Sequence, residues 1–205
     1  ALLYVANVTS LFRAYTDEPD LSFLTNVDVQ TYLGVGYNEF RQKVTSIAPA
    51  TYAIDVTITP SGTSYNLETG AVSILGAPAT ITNTRMVRLL SVRNSTPDID
   101  PLIWSGVSSK RALQTSNRGY YLEGKLLHFS ADVSRSLKLQ YVPESTVNWA
   151  NNAAGSTEYI DDLVEFHDII ALLAYKQYAI RNASTSEQIQ RQLSTRMRDL
   201  ESTLT

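Results

Sequence analysis

The chain has 205 residues, enough for one domain or one domain with an elaboration, and a chain of that length hides about 70% of its unfolded surface without covalent staples. It has no cysteine, which excludes a disulfide framework, a thiolate metal site and a cysteine nucleophile, and fits a reducing cytosol. Its 17 basic and 20 acidic residues give a net charge of −3, so it lacks the basic surplus with which proteins grip nucleic acid through phosphates.

The amino end, ALLYVANVTSLFRAYTDEPD, has no basic region ahead of its apolar residues and reads as a helix rather than a signal peptide. Val8, Leu11, Phe12 and Tyr15 share one face of it, and the proline of DEPD ends it. A second helix follows. Thr25 caps it, Asp28 sits in its first turn, and Leu24 with Val29 has the spacing of a hydrophobic staple. Its apolar face runs Val29, Leu33, Gly36, Phe40, Val44 and Ile47, with Pro49 at its end.

From residue 51 the period changes to two, and β-branched residues alternate with polar ones. TPSG places Pro60 and Gly62 where a tight turn wants them, and TGAVSILG reads as a further strand. RMVRLLSVRN, residues 85 to 94, is the next strong strand, followed by a looser stretch from 95 to 118. In GYYLEGKLLHFSADVSRSLKLQYVP, Glu123-Gly124 supplies a hairpin turn. Leu127, Phe129 and Ala131 face one way and Leu126, His128 and Ser130 the other, while Leu137, Leu139 and Tyr141 alternate with Lys138 and Gln140. That pattern predicts a sheet with one buried face.

After the polar loop NWANNAAGST the helical period returns. EYIDDLVEFHDIIALLAYKQYAIRN is apolar around much of its circumference, which predicts a centrally packed helix. Its longest apolar run, Ile169 to Tyr175, spans seven residues, against the roughly 20 that a membrane span needs. Ser184 and Glu187 form a capping box for the last helix, where Ile189, Leu193, Met197, Leu200 and Leu204 make a stripe. The expected fold is therefore α+β: helices at both ends packed together around a central antiparallel β-sheet or hairpin region. The parts are N-terminal helices over 1–50, a β region over 51–143 and C-terminal helices over 157–205.

Reactive side chains are few. The histidines are His128 and His167, and no G-x-S-x-G elbow accompanies them; SGVSS around Ser105 lacks that context. Glu158, Asp161, Asp162, Glu165 and Asp168 crowd the start of the long helix, where acidic residues favour a helix amino end more simply than they hold a hard cation. GVG at 34 to 36 lies inside a helix, out of context for a phosphate loop. Arg85, Arg88 and Arg93 lie along one strand, with Lys110, Arg111 and Arg118 in the looser stretch. They make either a weak electrostatic patch or a protected sheet edge. Tyr120 and Tyr121 fit strand preference as well as stacking on bases or glycans. Nothing assembles a nucleophile, a base and an anion hole, and the chain is read as a non-enzyme with no catalytic residue, cofactor or metal.

MVRLLSVRN, DPLIWSGVS, RGYYLEGKLLHF, SLKLQYVPES and YIDDLVEFHDIIALLAYKQYAIRNAS, taken in order, resemble the head-to-tail connector (adaptor, or head-completion) proteins of tailed bacteriophages. The matching positions are Tyr120 to Gly124, Leu126, Phe129, Leu139, Tyr141, Glu165, His167 and Asp168, within residues 85 to 183. The resemblance implies a virion structural protein made in the host cytoplasm and placed at the neck. It would form a homo-oligomeric ring, dodecameric in this family, between the portal protein and a tail or stopper protein. Double-stranded DNA would pass through its pore with weak contact, and no membrane would be involved. The terminal stripe Ile189, Leu193, Met197, Leu200 and Leu204 is the candidate interface, its alternative role being internal core. A second reading is a β-rich tail or baseplate module that binds a receptor or glycan through exposed tyrosines and Trp104 or Trp149.

Overall fold

The computed structural model describes residues 4–17, 24–67, 86–95, 103–160, 163–182 and 186–205. The chain divides into two compact units, Ala1–Ala48 with Val147–Thr205, and Pro49–Thr146. The first is helical and the second is built on a seven-stranded sheet, so the architecture is α+β. The strand TGAVSILG, together with Arg85, Asp161, Asp162 and Ser184, lies outside the described residues.

In the helical unit α1 spans Val5–Thr16 and α2 spans Asn26–Ile47. The first stops at Asp17, which takes a left-handed conformation with φ 56°. The second starts as its sequence predicts: the Asp28 amide donates to the Thr25 hydroxyl oxygen at 3.2 Å, and that hydroxyl donates to the Asp28 carboxylate at 2.6 Å. Leu24 and Val29, the two staple positions, are both buried. Helices from both ends of the chain pack together: α1 and α2 lie against α4, His167–Arg181. Every residue of α4 from Ile169 to Tyr175 is buried. Where α2 meets α4, Gly36 lets the backbones touch; a Cβ there would stand 2.8 Å from the Ala174 nitrogen and 2.8 Å from the Ile170 carbonyl oxygen.

The long helix begins later than its apolar pattern suggests. Glu158 and Tyr159 are extended, and Tyr159 forms a bridge with Tyr4. Leu163 sits at φ 65°, and a single 3₁₀ turn, Val164–Phe166, leads into α4. A positive φ on leucine breaks the helical path, so only Glu165 and Asp168 of the described acidic residues stand at the helix start. The last helix, α5, spans Glu187–Leu204, and its cap is Ser186, whose hydroxyl accepts from the Ile189 amide.

The strands of the second unit are β1 Ile54–Ile58, β2 Gly62–Asn66, β3 Met86–Asn94, β4 Ile103–Gly106, β5 Gly119–Glu123, β6 Leu126–Val133 and β7 Leu137–Pro143. Their order is β1-β7-β3-β4-β5-β6-β2. All neighbours are antiparallel except β4 and β5, which run parallel and are bridged by the short helix α3, Lys110–Gln114. The sheet is therefore mixed rather than purely antiparallel. Pro60 and Gly62 do not close a hairpin. They hand the chain from β1 at one margin of the sheet to β2 at the other across residues 59 to 61, and a link that short requires the sheet to curl.

The concave side holds one core, in which Val92, Trp104, Leu127, Phe129, Leu139 and Tyr141 are all buried. The hairpin turn is Gly124-Lys125, between the paired residues Glu123 and Leu126, with Gly124 at φ 57°. Leu137, Leu139 and Tyr141 are inside and Lys138 and Gln140 are half-buried, as alternation predicts. Ala131 is exposed although it shares the parity of Leu127 and Phe129. The β2–β6 register slips there, since Gly62 pairs with Val133 while Ser64 pairs with His128. Extra residues in one strand re-aim the side chains between them.

Candidate functional site

The terminal stripe is partly core and partly surface. Leu200 is fully buried, whereas Ile189, Leu193, Met197 and Leu204 are half-buried. α5 lies against α4, and an apolar groove of about 180 Å³ runs between them, lined by Leu172, Tyr175, Ala179, Ile180, Ile189 and Leu193. Ile180 is 65% exposed at that groove.

An ionic clasp holds α5 in place. Arg196 reaches Asp168, in the first turn of α4, through two parallel bonds, Nε to Oδ2 at 2.7 Å and Nη2 to Oδ1 at 2.8 Å. Its Nη2 also donates to the Glu165 carbonyl, and its guanidinium lies 5.1 Å over the Phe166 ring. The paired Asp168 carboxylate raises the Arg196 pKa above its ordinary value. Lys43 pairs with Glu201, and Gln192 donates to the Tyr15 hydroxyl at 3.3 Å. The stripe pattern does not register Arg196, because it precedes Met197 on the flank of the apolar face. The available signal is a charge beside a stripe, facing an acid in the first turn of the preceding helix.

Of the described members of the acidic group, Glu158 and Asp168 take separate roles. The Glu158 carboxylate accepts from the Asn148 amide at 2.9 Å and from Asn151 Nδ2 at 3.1 Å, which holds its pKa below the usual range. It thereby ties the loop NWANN to the strand-like segment ahead of α4. Asp168 belongs to the clasp. Among the described residues no group of three metal-ligating side chains comes together.

His128 on β6 stacks on Tyr121 at 6.4 Å, and its Nε2 lies 3.3 Å from the Glu123 carboxylate. His167 is fully buried as the first residue of α4. Trp104 is buried in the sheet core, edge-on to Phe129 at 5.3 Å, so it is not open to a sugar. Trp149 is half-buried against Tyr37 at 5.4 Å. Tyr120 and Tyr121 are half-buried, and burial raises the pKa of the Tyr120 hydroxyl.

The basic residues of the second unit divide into two kinds. Arg93 on β3 and Lys138 on β7 share Asp55 of β1, at 3.0 and 3.2 Å. Lys110, Arg111 and Arg118, on the crossover between β4 and β5, are exposed and make no ion pair among the described residues. No described helix is long and apolar enough to cross a membrane. No protein-family model matches the chain, and no curated protein matches it.

Proposed function

We propose that the chain is a structural subunit of the neck of a tailed bacteriophage. Copies would form a ring, dodecameric by the family resemblance, between the portal and a tail or stopper protein. The observation that carries this reading is where the resembling segments fall. MVRLLSVRN is β3, the tail of DPLIWSGVS is β4, RGYYLEGKLLHF is the β5–β6 hairpin, SLKLQYVPES is β7, and the last segment contains α4. These are the wall of the curled sheet and the central helix of the bundle, which are scaffold positions. A ring needs heterologous patches that close on themselves. The half-buried stripe and the groove beside it, with Ile180 exposed, offer apolar surface of that kind. A conduit also benefits from weak DNA contact, and a chain of net charge −3 suits that.

The test is electron microscopy of the purified chain mixed with its portal protein, with mass photometry of each alone. The expected result is a ring with a central pore, formed on the portal even if the free chain is monomeric, since a small interface does not always offset the cost of association. A chain that stays monomeric beside the portal, or a compact oligomer that binds glycans, would sink this reading and favour the tail-module alternative.

A further inference from the structure

We infer that the β4–α3–β5 crossover is a phosphate-contacting surface for duplex DNA, carried by Lys110, Arg111 and Arg118. The inference deepens the connector reading by naming where DNA touches the chain, and rests on that reading for the identity of the polyanion.

The local charge is unlike that of the whole chain. Residues 103 to 122 contain three cations and no Asp or Glu, so none of the three has an acid within its own segment. All three are exposed and form no ion pair among the described residues, whereas Arg93 and Lys138 on the sheet are both matched to Asp55.

The frame that presents them is fixed. Both ends of the crossover are strands in the same sheet, paired Ser105 with Gly119 and Gly106 with Tyr120. The Ser105 amide donates to the Arg118 carbonyl at 2.9 Å and the Val107 amide to the Tyr120 carbonyl at 2.9 Å. Ser109 caps α3 by accepting from the Ala112 amide, and Leu113 pins the helix with 7% exposure. Little backbone entropy remains to be lost when an anion binds.

Residue chemistry selects the partner class. On the link itself, residues 107 to 118, the exposed positions are Ser, Lys, Arg, Gln, Thr and Asn, and the exposed Ile103 (65%) lies at the start of β4, outside it. A protein interface draws its affinity from a few desolvated aromatic or aliphatic anchors, which this surface lacks. A phosphate backbone asks only for cations and hydrogen-bond donors. Tyr120 and Tyr121, on β5 beyond the link, are half-buried, and the link itself has no aromatic on which unpaired bases could stack, which favours the duplex over a single strand.

The experiment is fluorescence anisotropy of a labelled duplex against the full-length chain across a salt series. Three phosphate contacts predict a log–log slope of about −2.7, or roughly 500-fold weaker binding for a tenfold rise in salt. Replacing Lys110, Arg111 and Arg118 together by Ser should abolish the binding. A control with Arg135→Ser, Arg191→Ser and Arg198→Ser removes the same charge elsewhere and should keep both affinity and slope. Equal losses in the two variants, no binding by the parent chain at the lowest salt, or tighter binding of poly-glutamate than of DNA would each overturn the assignment. A ring on the portal without this slope would remove only the crossover site, whereas the slope without a ring would remove only the connector reading.

Discussion

Two glycines two residues apart on α2 show how much a single hydrogen can decide. Gly36 sits where α2 and α4 touch, and the atoms a Cβ would meet there, at 2.8 Å, belong to the backbone of α4. Backbone cannot rotate aside, so the helices must separate. Overpacking of this kind costs about 1–3 kcal/mol, which exceeds the roughly 1 kcal/mol that alanine gains over glycine in a helix. Gly34, on the same helix, has only Trp149 Cδ1 within reach, at the ordinary contact distance of 3.9 Å. Gly36→Ala is therefore expected to lower the free energy of unfolding by up to about 2 kcal/mol, and Gly34→Ala to raise it by up to about 1 kcal/mol, read from urea denaturation. Similar effects at both sites would mean that the close approach is not maintained. The close approach at Gly36 was legible in the sequence, because a glycine on an apolar helix face implies it. Its partner was not, since nothing in the spacing of α2 names Ile170 or Ala174.

At the scale of elements, α5 is the least secured piece of the helical unit. α4 has nine buried residues and α1 has five, whereas α5 has Leu200 alone among its 18 residues. Its attachment relies on polar groups, above all the Arg196–Asp168 fork, whose side chains are 28% and 20% exposed. Elements with few buried apolar contacts open below the global unfolding free energy. Hydrogen exchange should therefore show the α5 amides exchanging together and well before those of α4. Arg196→Gln should speed α5 alone. A bidentate charged pair with that exposure is worth about 1 kcal/mol after screening, or roughly fivefold in rate. Equal protection of α4 and α5 would contradict this. The stripe predicted the existence of α5 and its face, but the pattern could not say how deeply the face is covered, because burial depends on what lies opposite. The same limit explains two misreadings. Pro60 and Gly62 signal a reversal without saying which strand receives the chain, and the apolar pattern after Tyr159 runs on through Leu163, whose left-handed turn carries no glycine to announce it.

For the molecule as a whole, the division into units is not collinear with the sequence. The chain leaves the helical unit at Ala48, builds the β unit, and returns at Val147. The change of period at residue 51 and the polar loop NWANNAAGST mark both crossings in the sequence, and the contacts of α1 and α2 with α4 meet the expectation that helices from both ends pack together. An inserted unit with its own core is expected to fold without its host. The sheet unit meets that condition, since Val92, Trp104, Leu127, Phe129, Leu139 and Tyr141 pack on one another within it. Residues 49 to 146, expressed alone, should unfold in one cooperative step. The chain's two tryptophans fall one to each unit, so Trp104 is the sole indole in that fragment and its emission should be blue-shifted until the transition. Leu139→Ala should then cost about 2–5 kcal/mol, the usual range for a buried leucine. A fragment with water-like tryptophan emission and no cooperative transition would mean that the sheet depends on the helices for its stability, and the unit boundary would mark geometry without independence.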